Sequence, residues 1–248
     1  IFGDVQSKRH LLPFRASVET YQALGRPDAT AAAVLRAVRQ SAAHEELSYF
    51  DDDLFSRLDR VGSDAYFNGR VARLEMRVKR GWWHSEFNRF RYDVELVLKE
   101  EGDELPGATG MKDPSLIHVS FAELCREVGL GSPAENELVD SRLESMLRGW
   151  VAGRLAGVPE GVDGLVVTVP NARTLPSVRL LEWLEEAAER GGELRDLPTK
   201  LHPTDAHDSS PGESARFGLE PEMLFTLQLP EGWTQRVIWD RDPAMLRF

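Results

Sequence analysis

The chain has 248 residues, 42% of them hydrophobic and 29% charged, with a formal net charge of −11. This is the composition of a globular chain long enough to bury a sizeable core. The acidic balance argues against nucleic acid as a partner, and no apolar run reaches the roughly 20 residues of a membrane span. A single cysteine, Cys125, excludes an internal disulfide framework and thiolate metal sites, and fits a reducing, cytoplasmic setting.

In chain order, Ile1-Phe2-Gly3-Asp4-Val5 reads as the end of a buried strand leading into a loop at Gln6-Ser7. A helix is predicted over 11–24 with Phe14, Val18 and Tyr21 on one face, a second over 29–47 and a short third over 54–61, together a helical cap. Residues 71–79 and 90–98 alternate with period two. Ala72, Leu74, Met76 and Val78 point one way in the first run, and Phe90, Tyr92, Val94, Leu96 and Leu98 in the second. The short link between the runs predicts an antiparallel pair. A polar, Gly-containing stretch over 100–113 marks a boundary between units 1–100 and 113–248. Beyond it come a strand at 116–120, helices at 121–128 and 135–155, and a buried strand at 164–170. An amphipathic helix at 177–190 presents Leu180, Leu181 and Leu184, and a loop covers 197–214. A short helix at 220–227 precedes strands at 233–239 and 245–248, the last running into the terminus. The chain is expected to be a fragment that opens in one strand and closes in another.

Several residues bear on chemistry. Gly129-Leu-Gly131-Ser-Pro-Ala134 matches a dinucleotide-loop spacing but follows a helix, where glycine is a stop signal. His202, Asp205, His207 and Asp208 lie in a loop with no register to bring them together on a metal. The segment Gly81–Asn88 holds Trp82, Trp83, His84 and Glu86 between two strands. It is either a pocket wall beside titratable groups or a hydrophobic turn docked on the cap. Asp4, Asn171 and Arg173 follow strand-like runs, where open α/β sheets bind ligands, although each can equally cap a turn.

These residues resemble the methyltransferase domains embedded in nonribosomal peptide synthetases. Ile1-Phe2-Gly3-Asp4-Val5-Gln6-Ser7 is similar to that family's F-x-G-D-V-R-S, and His10 to Val18 to its L-L-E-A-F-H-A-S-V helix. Lys79 to Val94, KRGWWHSEFNRFRYDV, resembles K-R-G-x-x-H-N-E-L-T-R-F-R-Y-D-V, its most specific signature. Val169-Pro-Asn-Ala-Arg173 matches V-P-N-A-R, and Gly218-Leu-Glu-Pro-Glu-Met223 resembles G-V-D-P-E-x. The resemblance implies an α/β fold: the C-terminal part of a Rossmann-like core over 1–100 with a helical lid at about 11–65, and an α+β extension over 113–248. It implies S-adenosylmethionine as methyl donor, bound by residues upstream of Ile1, so that this stretch alone carries no cofactor site and is inactive. It also implies carrier-protein and adenylation domains as partners in the same polypeptide. The acceptor is an aminoacyl thioester, with Glu86, His84 and Tyr92 as catalytic candidates and Asp4, Arg15, Asn171 and Arg173 lining the site. Gln6 stands in place of Arg, Arg15 of His and Ser85 of Asn, which leaves open a catalytically altered relative, an epimerase or a spacer.

Overall fold

In a computed structural model, residues 1–51, 54–55, 71–81, 85–98, 115–130, 142–203 and 218–248 are described. They form a mixed α/β structure with two four-stranded mixed sheets and helices. The first sheet has the order β2-β1-β4-β3, with β1 Phe2–Ser7, β2 Tyr49–Phe50, β3 Val71–Val78 and β4 Arg91–Leu98. β3 and β4 are antiparallel, pairing Leu74 with Leu96, Met76 with Val94 and Val78 with Tyr92, as the period-two pattern requires. Their inward side chains, Leu74, Val78, Tyr92 and Val94, are buried, and Met76 and Leu96 pack beside them. The side chain of Ala72 lies outside the described residues. On the outer face Glu75 is paired in register with Glu95, and Arg77 bonds both carboxylates, which offsets the like-charge contact.

The connection between β3 and β4 differs from a plain loop. α3, Glu86–Phe90, is a short helix, and Phe90 ends it instead of starting the strand. The first strand also differs, running through Gln6 and Ser7, which pair with Tyr49 and Phe50 in parallel. Asp4 therefore sits mid-strand. There the β1–β4 register is broken between Phe2 and Val5, and Asp4 takes φ 58°, a left-handed backbone at a bulge.

The second sheet has the order β5-β6-β8-β7, from β5 Leu116–Val119, β6 Gly164–Pro170, β7 Ile238–Trp239 and β8 Met245–Arg247. The expected strand at 233–239 shrinks to two residues, because only Ile238 and Trp239 find partners on β8. α4 Phe121–Glu127 starts on a capping box in which Ser120 and Glu123 bond each other's backbone N–H, and it ends at Gly129, φ 74°. α5 is Arg142–Ala156, α6 Leu175–Glu189 and α7 Pro221–Phe225.

The two sheets share one core. Tyr92 and Val94 of the first pack with Val167, Val169, Leu246 and Trp239 of the second. Tyr92 meets Trp239 edge-on, ring centres 5.2 Å apart. A second cluster joins α1 Leu11–Ala23, α2 Ala31–Ala43 and α6. The face of α1 buried there is Pro13, Ala16, Thr20 and Ala23, not Phe14, Val18 and Tyr21, and Tyr21 is 58% exposed. Small residues let the three helices approach closely, so the larger apolar side chains of α1 face elsewhere. Leu54 and Phe55 are helical, and the rest of the predicted third helix lies outside the described residues.

Candidate functional site

Three separated sequence motifs meet at one buried node. β6 ends at Pro170, and the turn Asn171–Thr174 starts α6. Gly218 and Leu219 run against that turn, with Leu219 N–H donating to Pro170 O and Ala172 N–H to Leu219 O. A Cβ on Gly218 would lie 2.6 Å from Pro170 O, so the approach needs glycine. This brings Glu220 to Arg173, an ion pair only 1% and 2% exposed at the side chains. The rest of the Arg173 guanidinium donates to the backbone carbonyls of Lys79 and Gly81 and reaches Asn88 O at 3.5 Å. Glu222 completes the grip, accepting two-pronged bonds from Arg80 at 2.9 Å and the N–H of Gly81. Burial opposes the Glu222 charge, but these donors hold its carboxyl below the ordinary range. Below α3, Arg89 donates to Arg173 O at 2.9 Å and to the Ser177 hydroxyl. Segment 79–90 is thus held at its base by buried charge and backbone bonds.

Above the node lies a row of polar groups on the outer face of the first sheet. Lys79 Nζ is 2.8 Å from Asp4 Oδ1 and 2.6 Å from Asp93 Oδ1. Asp4 N–H also donates to Asp93 Oδ1 at 3.1 Å. The bond from Lys79 holds the Asp4 carboxyl below its usual range. Partial burial pulls the Lys79 ammonium down, but its two carboxylate partners outweigh that and raise it. Tyr49, Gln6 and Arg91 are cross-strand neighbours on this face. Arg91 pairs with Glu86 and lies 4.3 Å over the Phe87 ring. Arg15 of α1 pairs with Glu45. Burial raises the Tyr49 phenol; Arg15 and Arg91 act against that rise and Glu86 adds to it. An open cavity of about 460 Å³ adjoins the row, lined by Asp4, Gln6, Ser48, Phe50 and Arg91 among others. Gln6 is 6% exposed, and its Oε1 has no hydrogen-bond partner among the described residues.

The predicted residues divide accordingly. Asp4, Arg15 and Glu86 fall in one neighbourhood, linked through Arg91 and Tyr49. Asn171 and Arg173 are buried beneath it, where Asn171 Oδ1 accepts from Arg173 N–H at 3.0 Å. Tyr92 is 1% exposed and points to the core face. His84, with Trp82 and Trp83, lies outside the described residues, as do Asp205, His207 and Asp208. Sequence reading missed Lys79, Arg91, Tyr49 and Glu45. The signal for Lys79 and Arg91 was the charged half of the alternating runs, which reads as a solvated face until β1 is known to lie beside β4; Tyr49 and Glu45 lie outside those runs and gave no such signal. Among the described residues no His, Cys, Asp and Glu cluster gathers as a metal site, and no helix is long and apolar enough to cross a membrane.

Comparison with known proteins gives one distant relationship. Over 187 residues, 75% of the chain, the sequence is 29% identical to chondramide synthase cmdD of Chondromyces crocatus. The similarity is to a biosynthetic synthase. The chain spans about 4% of that protein's length. No family model matches the chain.

Proposed function

We propose that this chain is the acceptor side of an S-adenosylmethionine-dependent methyltransferase domain of a nonribosomal peptide synthetase. Its substrate is an aminoacyl group held as a thioester on a carrier protein in the same polypeptide as an adenylation domain, and the amino nitrogen is methylated. The distant similarity to chondramide synthase supports a nonribosomal-synthetase-related domain. The observation that carries the finer reading is that Glu86 and Arg91, on the segment with the most specific resemblance, lie with Arg15 around Tyr49, and that Asp4 lies within the field of the same Arg91.

S-adenosylmethionine supplies the methyl group when bound. The residues described here do not fit it: the turns from β1 to α1, β5 to α4 and β6 to α6 contain no glycine to let backbone N–H groups close on the donor. The donor is held by other parts of the protein. What this chain offers is positioning of the acceptor. Glu86, 40% exposed at the side chain, orients the amine and takes its proton, and Arg91 fixes the carboxylate in place. Arg173, Glu220 and Glu222 hold the segment that carries it.

One observation favours the catalytically altered alternative. Gln6 stands where the resembling family has Arg, and its buried Oε1 finds no partner among the described residues. A methylation assay separates the two readings. In the synthetase containing this chain, with its carrier aminoacylated, intact-protein mass spectrometry should show addition of one methyl group. Glu86→Gln should slow that step by about 100-fold. Methylation at the wild-type rate in Glu86→Gln removes Glu86 from the chemistry, and absence of methylation in the wild type favours the altered relative.

A further inference from the structure

We infer that the cavity between α1 and α3 is a binding site for a small monocarboxylate with an apolar body, its carboxylate seated on Arg89. The cavity, of about 140 Å³, is lined by Phe14, Val18, Tyr21, Glu86, Arg89 and Phe90 among others. It explains the apolar side of α1 that the helix cluster leaves unused. A volume near 150 Å³ lined by apolar groups accepts a benzene-sized ligand.

Arg89 sets the chemistry. It is 3% exposed, yet its partners are neutral: Arg173 O, the Ser177 hydroxyl and the face of Phe90, 4.8 Å from the guanidinium. Among the described residues no carboxylate pairs with it. Burial lowers its pKa to about 10, which still leaves it charged at neutral pH. A buried guanidinium without a counter-charge is costly, and a planar carboxylate matches its donors. Glu86 lies three residues before Arg89 on the same helix and lines the same cavity, but its carboxylate is bonded to Arg91. Among the described residues the wall therefore presents one positive charge without a carboxylate partner amid mostly apolar surface, which favours a monoanion over phosphate. This site does not depend on the methyl-transfer reading and stands if that reading fails.

Benzoate is a suitable probe, with benzamide as its neutral counterpart of the same shape. Titration of the chain followed by calorimetry should show saturable binding of benzoate, with benzamide at least about tenfold weaker. Val18→Trp fills the cavity while keeping the Arg89 side chain, and should abolish binding. Arg89→Met, checked for folding by circular dichroism, should bring benzoate down to the level of benzamide. Equal affinity for the two probes in the wild-type chain, no saturation with benzoate, or undiminished binding in Val18→Trp each overturns the site. The first two need no variant, so a poorly folding Arg89→Met leaves the inference decidable.

Discussion

Arg173 shows how much one side chain can organise. It was legible in the sequence as an arginine after a strand, a position that suggested a ligand contact. Its partners, Glu220 and the carbonyls of Lys79 and Gly81, are long-range and could not be read from local pattern. Arg173→Met removes one buried ion pair with Glu220 and the donors to the Lys79 and Gly81 carbonyls, so a loss of about 3–5 kcal/mol is expected in urea unfolding. Arg173→Met with Glu220→Met should recover only the part of the loss that belongs to the ion pair, because the carbonyls of Lys79 and Gly81 stay without their donor. His10 makes a second residue-scale case. It is fully buried, with Nε2 bonded to Pro243 O at 3.0 Å and its ring 4.4 Å from that of Trp239. Burial lowers its pKa from 6.5 to about 4. The folded state therefore binds fewer protons than the unfolded state between those values. Its contribution is complete above pH 6.5 and is lost as pH falls toward 4, by about 3 kcal/mol in all. His10→Gln should flatten urea midpoints measured across that range; an unchanged slope would assign the acid sensitivity to other groups.

Elements were legible where the hydrophobic period was strong. β3 and β4 followed from alternation alone, and β6 from its apolar run. Phe14, Val18 and Tyr21 share one face of α1, as their spacing predicted, but the buried face is another, which small residues do not announce in a sequence. Here Ala16, Thr20 and Ala23 allow close packing, while Phe14 and Val18 line a cavity. The stretch 233–237 looked like a strand, but a strand needs a ladder partner, and β8 reaches only Ile238 and Trp239. α4 is defined locally at both ends, by Ser120 and Gly129. Ser120→Ala removes the acceptor for the Glu123 N–H and should cost about 1 kcal/mol in thermal or urea unfolding. A smaller effect than a few tenths would mean that tertiary packing, not the cap, sets the start of this helix.

At the scale of the molecule, the two sheets are joined through Tyr92 and Trp239, and α1 and α2 are joined to α6. Neither half of the chain buries its own apolar surface without the other, so unfolding should be a single transition by circular dichroism and by tryptophan fluorescence. Trp239→Ala, which empties the contact between the sheets, should lower stability by about 3–5 kcal/mol. Two separated transitions in the wild-type chain would show that the shared core does not couple the halves. The polar row of the candidate site was half legible for the same long-range reason: its charged residues were visible, but not that β1 and β4 would set Asp4 beside Lys79 and Asp93. The grip of Arg173 on segment 79–90 acts on carbonyl oxygens, which every amino acid carries. The described residues 85–87, whose side chains the clamp does not touch, can therefore be exchanged without detaching the segment, whereas the clamp cannot be exchanged. Such a division makes the segment evolvable: natural selection can rewrite the surface it presents while the scaffold that displays it stays constant.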